Sequence, residues 1–415
     1  MRATAPLRDP IVARLWAALV VFTTGDELYR VALVWLAVEI VGRQAGYMSA
    51  AQSACMMLGA ALGGTFVAGY SQRRAMSIFL AAGAACVMVP PVAWMAGHPS
   101  FAALMVPAIA VSLMRAQFEP AIQGNLPLLV RDRDHLFATN GLIDGVRRMA
   151  RITGPMLAGA LAAIMAVQDL FVVYAAALLM AAYLLLRVGD ALPHREGRGD
   201  AGFVMGLRIV REERALRSLL MLKSVTDGCW VVVIGHALPL TIERSGESWL
   251  GISGVAAYGV GLAAYGLTNI MSNIFIVSMP PSVSALRMVS GSTWMGSGLA
   301  LMGLGAILAP PGYLLPALYA GLALTALGSP FFDISLAMRI QMAGGFGASR
   351  AAAASVHRVR LFMNFGGILT AGLVSPTLFG QFGVAPTMLA TGLLCAGVSL
   401  ASMLVIVRLG RRPQG

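Results

Sequence analysis

Residues 146–159, VRRMARITGPMLAG, and residues 359–372, VRLFMNFGGILTAG, share one pattern at one constant offset. Val146, Arg147, Gly154, Ala158 and Gly159 answer to Val359, Arg360, Gly367, Ala371 and Gly372. A fixed offset held through a whole helix is hard to reach by chance, and it divides the chain into two related halves. A second correspondence supports the division: Asp26 and Arg30 stand four residues apart, as do Lys223 and Asp227, each pair on one helix face.

Composition says where such halves reside. Of 415 residues, 58% are hydrophobic and 12% charged, with a mean hydropathy of +0.78, far from the usual soluble domain. At about 1.5 Å per helical residue and about 30 Å of hydrocarbon, the chain has room for about twelve membrane-spanning helices. The hydropathy pattern places them at 11–41, 47–70, 76–95, 101–121, 136–165 and 170–188, then at 216–242, 250–277, 288–308, 314–334, 351–378 and 384–407. The expected fold is therefore all-α and integral to the membrane. It consists of an N-terminal six-helix bundle (1–188), a cytoplasmic linker (189–215) and a C-terminal six-helix bundle (216–415).

The net charge of +12 and pI near 10.3 would point a soluble protein toward nucleic acid. Here the cations fall mainly in alternate loops, with Arg73, Arg74, Arg131, Arg133, the 195–214 cluster, Arg287, Arg350 and the Arg408–Arg412 tail on one side and only Arg43 and Arg244 on the other. The positive-inside rule then sets both termini in the cytoplasm of a bacterial-type inner membrane. In the linker, Phe203, Leu207 and Val210 share one helical face and Arg208, Arg211 and Glu212 another; a short helix on the inner leaflet and a solvated connector both fit.

Several chemistries are excluded. Cys55, Cys86, Cys229 and Cys395 lie in apolar runs without metal-ligand spacing, and His98, His135, His194, His236 and His357 are scattered. The single lysine, in LLMLKS, lacks the glycine pattern of a nucleotide-binding loop. No cofactor is expected. A membrane-embedded enzyme and a scaffold both compete less well than a transporter, because symmetric ionisable pairs in mid-span serve neither.

At these motifs the chain resembles the major facilitator superfamily over essentially its whole length. GGTFVAGYSQRRAM (63–76) resembles the loop between the second and third spans, keeping Gly63, Gly64, Arg73 and Arg74 but having Ala68 near the place of the acidic member. RITGPMLAGAL (151–161) resembles the Gly-Pro motif of the superfamily's antiporters through Gly154, Pro155 and Gly159, with Ala150 and Ala158 where glycine is commoner. FTTGDELYRVALVWLAVEIVG (22–42) and GLRIVREERALRSLLML (206–222) look most like the branch of enterobactin and other siderophore exporters. The resemblance implies a monomeric secondary transporter among membrane lipids, exchanging a small polar or anionic molecule for protons, with drug or lipid export as the alternative.

Charges inside the membrane supply the candidate residues, since each costs a few kcal/mol unless partnered or hydrated. Asp26 lies about 22 Å along its helix from the cytoplasmic end. It is either a proton carrier controlled by Arg30 or half of a static ion pair. Lys223 is expected to alternate between Asp227 and an anionic ligand, or to hold Asp227 permanently. Asp227 and Asp333 are further candidates for proton coupling, and Asp333 alternatively for gating. Arg30, Arg151 and Lys223 are candidates for substrate binding. Arg115, Glu119, Asp144, Arg147 and Arg148 are expected to form a gate network, assisted by Arg73, Arg74 and a kink at Gly154-Pro155.

Overall fold

The computed structural model describes residues 5–62, 72–129, 133–188, 203–279, 284–342 and 350–410. The helices are α1 (Pro10–Val41), α2 (Gly46–Leu62), α3 (Gln72–Val87), α4 (Val89–Met95), α5 (Phe101–Leu129), α6 (Arg133–Ala162) and α7 (Leu170–Leu186). Beyond the linker come α8 (Phe203–Glu212), α9 (Arg214–Trp230), α10 (Leu238–Ser245), α11 (Gly254–Ser278), α12 (Ala285–Leu308), α13 (Leu314–Met342), α14 (Arg350–Phe382) and α15 (Val384–Gly410).

Among the described residues, eight helical stretches are long and apolar enough to cross a membrane. α1 is not one of them, for a reason that bears on function. Although it has 32 residues, Asp26, Glu27 and Arg30 fall where an apolar window should be centred. Charges at mid-helix persist only where the helix is covered by protein or faces water, and much of α1, from Val12 to Val38, is buried.

Two expected spans are interrupted. The span at 76–95 breaks at Met88, where Pro90 and Pro91 remove two amide donors and α4 restarts with proline in its first turn. The span at 216–242 runs from Arg214 to Ser245 and contains a seven-residue π-helical turn, Val231–Ala237; such turns concentrate at functional places in helices. At its end Gly246 takes a left-handed conformation, φ +60°, which closes α10.

The offset read from the sequence extends to whole elements. α5 and α13 each have 29 residues, and their first residues, Phe101 and Leu314, stand at the offset that relates Gly154 to Gly367.

Spatially the chain forms two compact units, Met1–Ile40 with Leu62–Arg198, and Val41–Ala61 with Gly199–Gly415. In the first, α3 packs on α5 and α7. The second has its core between α9, α12, α13 and α14, where Leu216, Leu220, Met288, Phe332, Leu336 and Val359 are buried together. It includes α2, whose Gly46 lies so close to α14 that a Cβ there would stand 2.8 Å from the Gly372 carbonyl.

Small residues let helix backbones meet where water-driven burial is absent. On α12, a Cβ at Gly303 would lie 2.2 Å from the Leu389 nitrogen of α15. Gly303→Ala is expected to cost about 1–3 kcal/mol, as overpacking does when backbone must move, read as a lower unfolding temperature of the detergent-solubilised protein.

The linker segment holds the helix α8, which packs by one face on α14. Its buried residues are Gly206 and Val210, and they face α14: a Cβ at Gly206 would meet the Ser355 carbonyl at 2.2 Å, and Phe203 contacts the Phe362 ring edge-on at 5.2 Å. Leu207, expected on the apolar face, is exposed. The glycine wins that face because only a residue without a side chain admits this approach.

Candidate ion-pair clusters in the membrane spans

In the first unit, α1 brings Asp26 and Glu27 into a buried position, and α5 and α7 supply their surroundings. Arg115 Nη1 of α5 lies 3.2 Å from Asp26 Oδ2. Tyr174 of α7 donates its hydroxyl to Asp26 Oδ1 at 3.2 Å. Tyr29 stacks on the Tyr174 ring at 4.7 Å and meets Phe171 edge-on. The carboxylate thus has one cation, one neutral donor and an aromatic wall. The low local dielectric beside these rings strengthens the attraction between the charges.

Arg30, expected beside Asp26, instead holds Glu27 in an ion pair and keeps nearly half of its side chain exposed. Arg115, read with Glu119, reaches across to α1. The side chains of Glu119, Asp144 and Arg73 lie outside the described residues, as does most of the 63–76 loop. Arg74 is exposed at the start of α3 and Arg151 on α6, while Arg147 and Arg148 are half-buried.

Gly154 has a packing role. A Cβ there would fall 2.4 Å from the Glu27 Cβ and 3.0 Å from the Thr24 carbonyl, so α6 touches α1 at the acidic pair. Pro155 is accommodated within a continuous α6.

In the second unit the lone lysine has two partners rather than one. Lys223 Nζ lies 2.8 Å from Asp227 Oδ1 and 2.7 Å from Asp333 Oδ1. Ser329, one turn before Asp333 on α13, donates to its other oxygen at 3.1 Å. The ammonium also approaches the Phe332 ring at 5.8 Å. Asp333, a candidate for proton coupling or gating, is the acid that ties α13 to α9. Arg360 of α14 adds its positive field to both carboxylates.

The two clusters correspond, with their charges reversed. In the first half an acid on the first helix meets a base on the fourth, Asp26 with Arg115. In the second half a base on the first helix of that half meets an acid on its fourth, Lys223 with Asp333. The anchoring glycines correspond as well, since a Cβ at Gly367 would strike the Ser224 carbonyl of α9 at 2.0 Å.

A buried histidine was not among the sequence candidates. His236, in the π-helical turn, is 4% exposed. Its Nδ1 lies 3.0 Å from Ser375 Oγ of α14 and its Nε2 2.8 Å from Ser49 Oγ of α2. No periodicity in the sequence singles it out, because its partners come from distant spans.

No family model matches the chain, and no curated protein matches it by sequence. Solved structures do. A POT family transporter in complex with 5-aminolevulinic acid superposes with a TM-score of 0.75 at 12% identity, covering 97% of this chain and 96% of that one. A bacterial homologue of the iron transporter ferroportin, in an inward-facing state, gives 0.71 at 14% identity over 94% and 98%. The nucleoside transporter NupG gives 0.70 at 15% identity over 96% and 99%. At such identities the likeness concerns the fold. The chain is a multi-pass membrane protein with the fold of these transporters.

Proposed function

We propose that the protein is a proton-coupled secondary transporter that exports a small polar or anionic organic molecule, a siderophore as first choice, by alternating access. In this reading twelve spans form two duplicated halves, 1–188 and 216–415, joined by the 189–215 segment, in a bacterial-type inner membrane with both termini cytoplasmic. The observation that carries it is the pair of buried ion clusters, each joining the first and fourth helices of one half. Each cluster holds a carboxylate that a proton would neutralise.

A proton arriving at Asp26 removes the negative charge that holds Arg115. The α1–α5 contact then loses its ion pair and keeps only the weaker attraction of the guanidinium for a neutral carboxyl. Asp227 and Asp333 have the same logic around Lys223: protonating either leaves the ammonium to the other. A conformational equilibrium responds to such differential binding and to nothing else. Arg151 and Arg30 are exposed cations suited to an anionic substrate in the first half, with Arg147, Arg148, Arg73 and Arg74 serving the gate.

The test is mass spectrometry of medium and cell contents with and without the gene, in iron-starved and iron-replete cultures. Loss of a metallophore from the medium with retention in cells is the expected result. An unchanged profile removes the siderophore. Purified protein in liposomes that moves no candidate solute under an imposed pH gradient would overturn proton-coupled export.

A further inference from the structure

The cation expected to receive an anion in the second half is already occupied. Lys223 is 8% exposed and closed between two carboxylate oxygens at 2.8 and 2.7 Å, so an entering anion would first have to displace both. Another cation stands nearby in a different condition. Arg360 of α14 is half-buried within a span, and it forms no direct ion pair or hydrogen bond among the described residues. It has five donors in a planar fork.

One turn further along α14 stands Asn364, whose Oδ1 is buried without a hydrogen-bond partner among the described residues. A buried acceptor is costly to leave unpaired, a cost that a bound donor would remove. Arg360, Asn364, Gly367 and Ala371 follow the i, i+4, i+7 spacing of one helix row. The row packs against α9, because Gly367 presses on Ser224 and a Cβ at Gly228 would lie 2.9 Å from the Gly367 carbonyl. Arg360 and Asn364 therefore sit on the side of α14 nearest the Lys223 cluster, and Asp227 and Asp333 feel the Arg360 charge.

The charge balance permits an anion there. Lys223 and Arg360 offset Asp227 and Asp333, so an incoming carboxylate meets no net negative charge. The same places in the first half are held by Arg147 and Arg151, at the offset that relates the two motifs. A cation followed one turn later by a polar group is thus a feature of both halves.

We infer that Arg360 and Asn364 form an anion-recognition subsite for an organic acid that carries a hydrogen-bond donor beside its acid group, an α-hydroxycarboxylate being the simplest. Arg360 takes the carboxylate through two parallel N–H bonds, and Asn364 Oδ1 accepts the neighbouring hydroxyl. This subsite rests on the transport reading for its purpose, though not for its detection.

The test is calorimetric titration of the full-length protein in detergent with citrate and with tricarballylate, which has the same three carboxylates and no hydroxyl. Citrate is expected to bind more tightly. Arg360→Ala is expected to weaken citrate by about tenfold or more, and Asn364→Leu to cancel the preference for citrate at a loss of about fivefold. Arg360→Lys retains the positive charge beside Asp227 and Asp333, so its fold is protected, yet it loses the paired bonds and most of the affinity. Wild-type affinity in both Arg360 variants, or no binding of either acid by the wild type, overturns the subsite. Because binding is read without a membrane, a failure of proton-driven transport in liposomes would be seen separately.

Discussion

Asp26→Asn is expected to reduce proton-driven transport in liposomes to the background of empty vesicles while leaving the protein folded. Asparagine has nearly the volume of aspartate. Its side-chain oxygen can accept from Arg115 in the place of Oδ2, while its amide NH2, in the place of Oδ1, can donate to the Tyr174 hydroxyl 3.2 Å away. What it lacks is a proton to bind and release. The variant should therefore retain exchange of substrate between the two sides at equal pH, which needs conformational cycling without net proton movement. Full proton-driven export by the asparagine variant would remove Asp26 from the coupling path. Asp26→Ala is the structural control, since it removes the carboxylate that both Arg115 and Tyr174 contact, and a lower membrane yield should report it.

The second large effect is expected at Lys223. Lys223→Met removes the one cation that, among the described residues, directly contacts Asp227 and Asp333, and leaves two carboxylates facing the vacated space, a loss of about 3–5 kcal/mol. Membrane yield and unfolding temperature should both fall steeply. The added partner alters the design of the rescue. Neutralising Asp227 alone still leaves Asp333 ionised in the span, steadied by Ser329 and the field of Arg360, so the double change Lys223→Met with Asp227→Asn should recover only part of the yield. Adding Asp333→Asn should recover most of it. Complete recovery in the double change would mean that Asp333 contributes nothing to the pair. A triple variant that inserts normally and transports nothing would assign the cluster to function as well as to stability.

Much of this architecture is written in short-range terms. A span is a run of apolar residues and a repeat is an offset, so the helices, their approximate limits and the duplication are legible from order alone. Asp26, Lys223, Asp227 and Asp333 stand out for the same reason, as charges where apolar residues are required. Their partners do not. Order along the chain offers Arg115 no sign of Asp26 on α1, which its guanidinium meets; Lys223 shows only the carboxylate one turn away, yet it binds a second from α13.

Glu27 was hidden beside Asp26, and Arg360 served merely as a marker of the repeat. His236 gives no local sign of the serines that hold its ring.

Sequence by itself determined a chain of apolar helices with a few ionisable groups at costly depth, because hydropathy and helical period are properties of neighbours along the chain. Which charges meet, that the two clusters carry opposite polarity, and that Arg360 has no direct ion pair among the described residues were decided only by tertiary structure. An ion pair across helices depends on side chains a few ångströms apart in space and far apart in order, and glycine contacts such as Gly154 on α1 and Gly367 on α9 set those distances.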